Sequence, residues 1–208
     1  LLSQTPPDPD LVSEIAAVEV PSRGGPVIVR EDEEPSRVDF ARVPTLRPSF
    51  ETEGTITAAN ASTLADGAAA LIVGGEASIA RPGVRARARI VATAVAGRAP
   101  VEFPIAPVDA ITKVVARAGL RLSDIDVFEI NEAFAVVAIA AIRALTLDPD
   151  AVNVRGGAIA LGHPIGASGA RVLTTLLGVL DERRARYGLA TLCLGGGEAI
   201  ATIVERNG

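Results

Sequence analysis

Three observations predict an α/β fold. From about residue 54 onward short apolar runs alternate with amphipathic stretches, Gly and Pro separate them, and the runs read as strands are apolar throughout. Strands covered on both faces look like that, whereas strands with one wet face alternate apolar and polar residues. The expectation is a mixed, mostly parallel sheet with helices on both faces.

Residues 1–53 form the least regular part. Prolines at 6, 7, 9, 21, 26, 35, 44 and 48 interrupt helices and central strands, and the acidic run 31–34 reads as a solvated loop. One short strand is expected there, Val27-Ile28-Val29. Further strands are predicted at 68–74, 88–95, 125–130, 152–161, 189–194 and 198–204, and helices at 76–81, 106–118, 132–145 and 166–184. Within 106–118, Ile111, Val114, Val115 and Ala118 share one helical face, and Gly119 follows as a stop. The last two strands are joined only by Gly195-Gly196-Gly197, too short for a helical crossover, so they are expected to pair as an antiparallel hairpin. The chain is thus divided into an irregular segment, 1–53, and a folded domain, 54–208.

The chain has 208 residues, enough to bury a core, with 49% hydrophobic, 22% charged and only 3% aromatic residues. Its core must be built from Ala, Val, Leu and Ile. A formal net charge of −5 disfavours binding to a phosphate backbone, so nucleic acid is not an expected partner. One Cys cannot make an internal disulfide. No run is long and clean enough to span a bilayer and no basic-then-apolar leader opens the sequence, so no membrane is expected and the chain reads as soluble and intracellular. It contains no Met, even at position 1, which suggests part of a longer polypeptide.

Polar, chemically able side chains interrupt the apolar pattern at three places. Asn131-Glu132 follows Val127-Phe128-Glu129-Ile130; alone, Asn131 reads as a helix N-cap. Gly162-His163-Pro164 carries the chain's one His, placed by Pro and Gly on an irregular corner. Cys193 ends Leu189-Ala190-Thr191-Leu192 and stands just before three glycines, which allow close backbone approach and leave amides free for a ligand. Thirty-two residues separate the first pair and thirty the second, each about one βαβ unit. In a parallel sheet such positions meet at one carboxyl edge, where open α/β sheets build their sites. An imidazole, a thiol, a carboxamide and glycine amides together suit chemistry on a thioester or carbonyl. One His and one Cys are too few for a soft-metal site. Gly162, Gly166 and Gly169 lack the tight turn of a dinucleotide loop and enclose Pro164, which argues against nicotinamide binding.

Asn131-Glu-Ala-Phe134, the run Gly156 to Arg171, and Cys193-Leu-Gly-Gly-Gly197 resemble the three carboxyl-terminal signatures of the thiolases. The likeness extends through Gly54 to Gly67, Val27 to Phe40 and Phe103 to Val108, segments similar to acetoacetyl-CoA thiolases (acetyl-CoA acetyltransferases) of mitochondrial type and their bacterial relatives. The resemblance implies half of a five-layered αβαβα fold and acyl transfer: thiolysis of a 3-ketoacyl-CoA, or Claisen condensation of two acetyl-CoA. It implies that His163 activates a nucleophilic cysteine and, with a water held by Asn131, forms one oxyanion hole. Cys193 is implied as the acid/base, and the Gly195 amide as half of a second oxyanion hole. Coenzyme A is the implied co-substrate, with Ser62 at its pantetheine, Ala133 and Phe134 lining its pocket, and Arg37 by the adenine. A monovalent cation, potassium, is implied near Ala58, Ala59, Ala61 and Ile159, with no prosthetic group. The family generally forms dimers or tetramers, in cytoplasm or mitochondrial matrix.

The acylated cysteine of the family lies in an amino-terminal half, and this sequence has no second Cys. One sulfur cannot carry the acyl group and also move the α-proton. A missing half, in the same or a separate chain, is therefore the expected partner, and the 208 residues alone are expected to be inactive. The alternative is a thiolase-fold module that binds CoA or acyl chains without catalysis.

Overall fold

The computed structural model describes residues 14–32 and 35–208. Residues 33 and 34 of the acidic run, and most of the proline-rich start, lie outside the described residues. The expected strand Val27–Val29 (β2) is present, paired antiparallel with a strand not expected from the sequence, Val18–Val20 (β1). All six residues are exposed.

The body of the fold is a four-stranded sheet and its helices. In chain order these are α1 (Glu76–Ile79), β3 (Ala88–Gly97), α2 (Ala106–Ala118), β4 (Val127–Ile130), α3 (Ala135–Leu145), α4 (Ala158–Leu161), α5 (Ser168–Arg183), β5 (Tyr187–Leu194) and β6 (Glu198–Arg206). The sheet order is β3-β6-β5-β4. Because β5 and β6 are linked by three glycines, they form the expected antiparallel hairpin, with Cys193 opposite Ala199. Gly196 and Gly197 both have φ +97° in that turn, a conformation that L side chains rarely adopt. The sheet is mixed and the class is α/β as expected, but parallel pairing contributes less than expected. Only β4 and β5 pair in parallel among the named strands, while β6 pairs antiparallel with both β5 and β3.

Helices cover both faces. On one side Ile111 and Val114 of α2 and Val137 and Ala141 of α3 pack with Phe128, Ile130, Leu189, Cys193 and Ile203. On the other, Val172, Leu176, Val179 and Leu180 of α5 repeat at helical spacing and bury against Val127, Ala190 and Val204. Alternation along β4 therefore sends Phe128 and Ile130 one way, and Val127 and Glu129 the other. As expected, α2 ends at Gly119, which takes the left-handed conformation (φ +67°) and caps the last turn.

Two predicted strands are not strands. Residues 68–74 have no regular structure, with Ile72 103% and Val73 74% exposed. A β propensity is realised only against a partner, and no strand among the described residues pairs with this run. In 152–161 only Val152 pairs, as a single parallel bridge to Phe128; Gly156 turns at φ +81° and 158–161 closes a helical turn. The helix predicted from 132 begins at Ala135, because residues 131–134 are held extended by the loop that crosses them. Phe134, not Asn131, occupies its N-cap position.

Candidate active site at the carboxyl edge of the sheet

Asn131 is the residue immediately after β4, and its backbone N–H continues the ladder by donating to Thr191 O at 3.0 Å. Cys193 lies two residues beyond Thr191 on the adjacent parallel strand, so both stand at the same edge. The end of β4 is fixed from its free side by Asn153. That carboxamide accepts from Ile130 N at 2.7 Å and donates to Ile130 O at 2.8 Å, acting as one residue of a neighbouring strand. It also donates to Glu132 Oε1 at 2.9 Å.

His163 does not follow a strand, contrary to the expected thirty-residue recurrence. It follows the turn α4 and is brought to the edge from three sides. Its N–H donates to Thr63 O at 2.9 Å, within a bridge between Leu64 and His163. Nδ1 lies 2.6 Å from Ser168 Oγ, and Nε2 lies 3.4 Å from Asn131 Nδ2. Ser168 Oγ donates its single proton to Pro164 O at 3.0 Å, so toward the ring it can only accept. The hydrogen-bond network thereby assigns the proton to Nδ1 and leaves the Nε2 lone pair for the Asn131 amide and the site. Gly162 permits this packing: its φ is +85°, and a Cβ there would lie 2.7 Å from the Ala65 Cβ.

The electrostatics complement the geometry. Burial, and secondarily the cation of Arg171, push His163 below its ordinary value, which favours the neutral base. Burial pushes the Cys193 thiol up, against a small opposing effect of a backbone hydrogen bond, so the resting sulfur carries its proton. A neutral imidazole with a directed lone pair, a buried thiol holding a proton and an amide donor can move protons to and from a carbonyl α-carbon. An open cleft of about 320 Å³ reaches the imidazole, walled by Leu64, Ala65, Asp66 and Ile165.

The other expected residues are distributed around this edge. Gly195 begins the turn two residues after Cys193. Ser62 donates from both N and Oγ to Ala133 O, at 3.1 and 3.0 Å. Ala61 bridges Phe134, whose ring meets Phe50 and Phe103 edge-on. Ala58, Ala59 and Ile159 line one small pocket of about 60 Å³ together with Pro35, Val38 and Thr63, but Ala61 does not. Arg37, which is exposed, ends the turn Pro35–Arg37. Among the described residues no group of three or more His, Cys, Asp or Glu side chains could hold a metal. Sequence reasoning did not single out Ser168, Asn153 or Glu132 as site residues in their own right. Asn153, flanked by Val152 and Val154 in an apolar run, was the signal available for one of them.

The family model for the thiolase C-terminal domain matches residues 84–206, and that for the thiolase N-terminal domain matches residues 4–77. The mitochondrial acetyl-CoA acetyltransferase of Danio rerio is 50% identical, over 94% of this chain and 47% of that protein. A probable acetyl-CoA acetyltransferase of Dictyostelium discoideum is 47% identical, over 93% of this chain and 47% of that protein. Among solved structures, the Bacillus anthracis acetyl-CoA acetyltransferase superposes with a TM-score of 0.86 at 38% identity, covering 94% of this chain and 50% of that one. Human mitochondrial 3-ketoacyl-CoA thiolase in complex with CoA gives 0.78 at 35%, covering 91% and 48%. The chain spans about half the length of the relatives it matches.

Proposed function

The chain belongs to the thiolase family, and on that premise we propose that it is the carboxyl-terminal catalytic half of an acetyl-CoA acetyltransferase, completed by an amino-terminal half that supplies the nucleophilic cysteine. The observation that carries this reading is the pairing of His163 Nε2 with Asn131 Nδ2 at the edge where Cys193 stands, next to the last residue of β5.

In the thiolytic direction His163 takes the proton of the partner's thiol as that sulfur attacks the 3-keto carbon. Cleavage of the Cα–Cβ bond leaves the enolate of acetyl-CoA, and Cys193 gives its proton to the enolate carbon. The Cys193 thiolate then takes the proton of incoming CoA, whose thiolate attacks the acyl-enzyme; the nucleophilic sulfur leaves, recovers its proton from His163, and acyl-CoA is released. His163 with a water held by Asn131 forms one oxyanion hole and the Gly195 amide half of a second; losing one such donor costs roughly a hundred- to a thousand-fold in rate. Condensation runs the same steps backward. A thiol whose proton is held by burial suits the donor step.

CoA enters over Ser62, Ala133 and Phe134, with Arg37 toward its adenine. The small pocket at Ala58, Ala59 and Ile159 is where this reading would put a monovalent cation such as potassium, held by main-chain carbonyls. Such an ion would tie the 58–63 loop to the 159 turn. Ala61 to Leu64 bridge or hydrogen-bond to the 133–134 and 163 segments, which supports counting them with the domain from 54 onward. A homo-oligomer, in mitochondrial matrix or cytoplasm, is the setting this reading implies. No helix among the described residues is long and apolar enough to cross a membrane.

Mixing the chain with the amino-terminal half of a relative, adding CoA and following the loss of acetoacetyl-CoA tests the reading. Turnover that requires both polypeptides is expected. CoA binding without turnover by the complete pair overturns it in favour of a binding module, a reading motivated by the single Cys.

A further inference from the structure

The two hydrogen bonds that orient the His163 ring come from different elements: Asn131 from the end of β4, and Ser168 from the first turn of α5. A second link joins the same two elements directly behind them. Glu129, two residues before Asn131, is 1% exposed and faces α5; its Oε2 lies 3.8 Å from Nη1 of Arg171, which stands three residues after Ser168 on the same helical face. Arg171 also donates to Thr175 Oγ1 at 3.5 Å, and its backbone N–H to Ala167 O. Among the described residues, the buried side-chain polar atoms without a hydrogen-bond partner are Glu129 Oε1, Asn131 Oδ1 and Arg171 Nε. All three belong to this couple or to the amide beside it. Native proteins rarely leave such atoms orphaned, and a concentration of them at one place marks a position kept for something other than stability.

We propose that Glu129 and Arg171 are positioning residues for His163, a buried couple that ties the strand end carrying Asn131 to the helix turn carrying Ser168 and sets the charge the imidazole feels. This rests on the proposed role of His163 for its catalytic consequence, but the couple itself is a property of this chain.

The charged groups that face the ring are Arg171 on α5 and Asp66 in the loop across the cleft. Glu129 acts through Arg171, and Glu132 and Glu14 add to the field at the couple. Cys193, on the neighbouring strand, is pushed up from an ordinary value of 9.0. Arg171 opposes a second positive charge on the imidazole. Burial raises Glu129 to about 8, against the opposing pull of Arg171, so Glu129 is neutral while His163 titrates and acquires its charge afterward.

The chain's one His makes the test direct, because every imidazole resonance belongs to His163. Nitrogen and proton spectra of the 208-residue chain are recorded against pH. We expect an Nδ1–H tautomer, a midpoint below the free-histidine value, and a second, smaller inflection near pH 8. Glu129→Gln, which keeps the shape, removes that second inflection. Arg171→Gln raises the midpoint by up to about one unit, and Arg171→Lys, which keeps the charge, restores it. A wild type without the second inflection, a Glu129→Gln chain that retains it, or equal shifts in the two Arg171 variants overturns the proposal. Should Arg171→Gln not fold, the Glu129→Gln comparison decides alone. Since no turnover is measured, failure here is distinct from failure of the acyltransferase reading.

Discussion

Replacing Glu129 by Gln should make the protein's stability less sensitive to pH, and the size of the change follows from burial. The carboxyl is raised from 4.5 to about 8, chiefly by desolvation, with Arg171 only partly offsetting it. At ~1.4 kcal/mol per pH unit this amounts to on the order of 5 kcal/mol. Between those two values the folded protein holds a proton that the unfolded chain has released, so stability falls as pH rises. The contribution is complete below pH 4.5 and gone once pH passes about 8. Gln mimics the protonated carboxyl and does not titrate. Urea unfolding of both proteins at a series of pH values should therefore give similar stabilities near pH 4.5, with the Gln variant increasingly the more stable of the two up to pH 8. His163, which is pushed down, contributes in the opposite sense: its share is lost as pH falls below its ordinary 6.5. That share is common to both proteins and cancels in the difference. Parallel stability curves for the two proteins would refute the reasoning, since they would mean that Glu129 titrates alike folded and unfolded.

Truncating Leu176 to Ala, on the fully buried face of α5, should cost about 3 to 5 kcal/mol in the same unfolding assay, as for other well-packed leucines. Gly162→Ala forces a side chain into φ +85° and onto Ala65, so the midpoint of thermal unfolding should drop and a probe on the 63–66 loop should show faster hydrogen exchange. Cys193 should react with iodoacetamide at neutral pH far more slowly than free cysteine, and at the free rate in urea, because burial raises its pKa and shields the sulfur. In the reconstituted pair, Ser168→Ala removes the acceptor that fixes the Nδ1–H tautomer; kcat should fall by about ten- to a hundredfold with little change in KM for CoA.

Much of the candidate site is legible in the sequence. Asn131, His163 and Cys193 stand out because each breaks an apolar run beside a turn, and the Gly-His-Pro corner limits where the imidazole can sit. Ser168 was not readable as a partner. A serine at the start of a helix has many uses, and only the placement of Pro164 O and His163 Nδ1 around one hydroxyl shows which applies. Glu129 was equally hidden: within Val127-Phe128-Glu129-Ile130 a carboxylate looks like a wet-side residue, until α5 covers that side and buries it.

The residues from 88 onward fix by themselves the helices α2 and α5 and the β5–β6 hairpin, because each rests on local rules: apolar spacing, a glycine stop, a linker too short to cross over. Where a segment needs a partner, local rules are silent. Residues 68–74 have the composition of a strand and no pairing among the described residues, whereas Asn153 serves as a strand neighbour without belonging to a strand. The tertiary structure alone decided that the Glu129 carboxyl is pushed toward its protonated form, that His163 is held at both nitrogens, and that the Cys193 thiol is buried. Each follows from the removal of water by elements distant in sequence, and a linear chain does not record which of its groups will be dry.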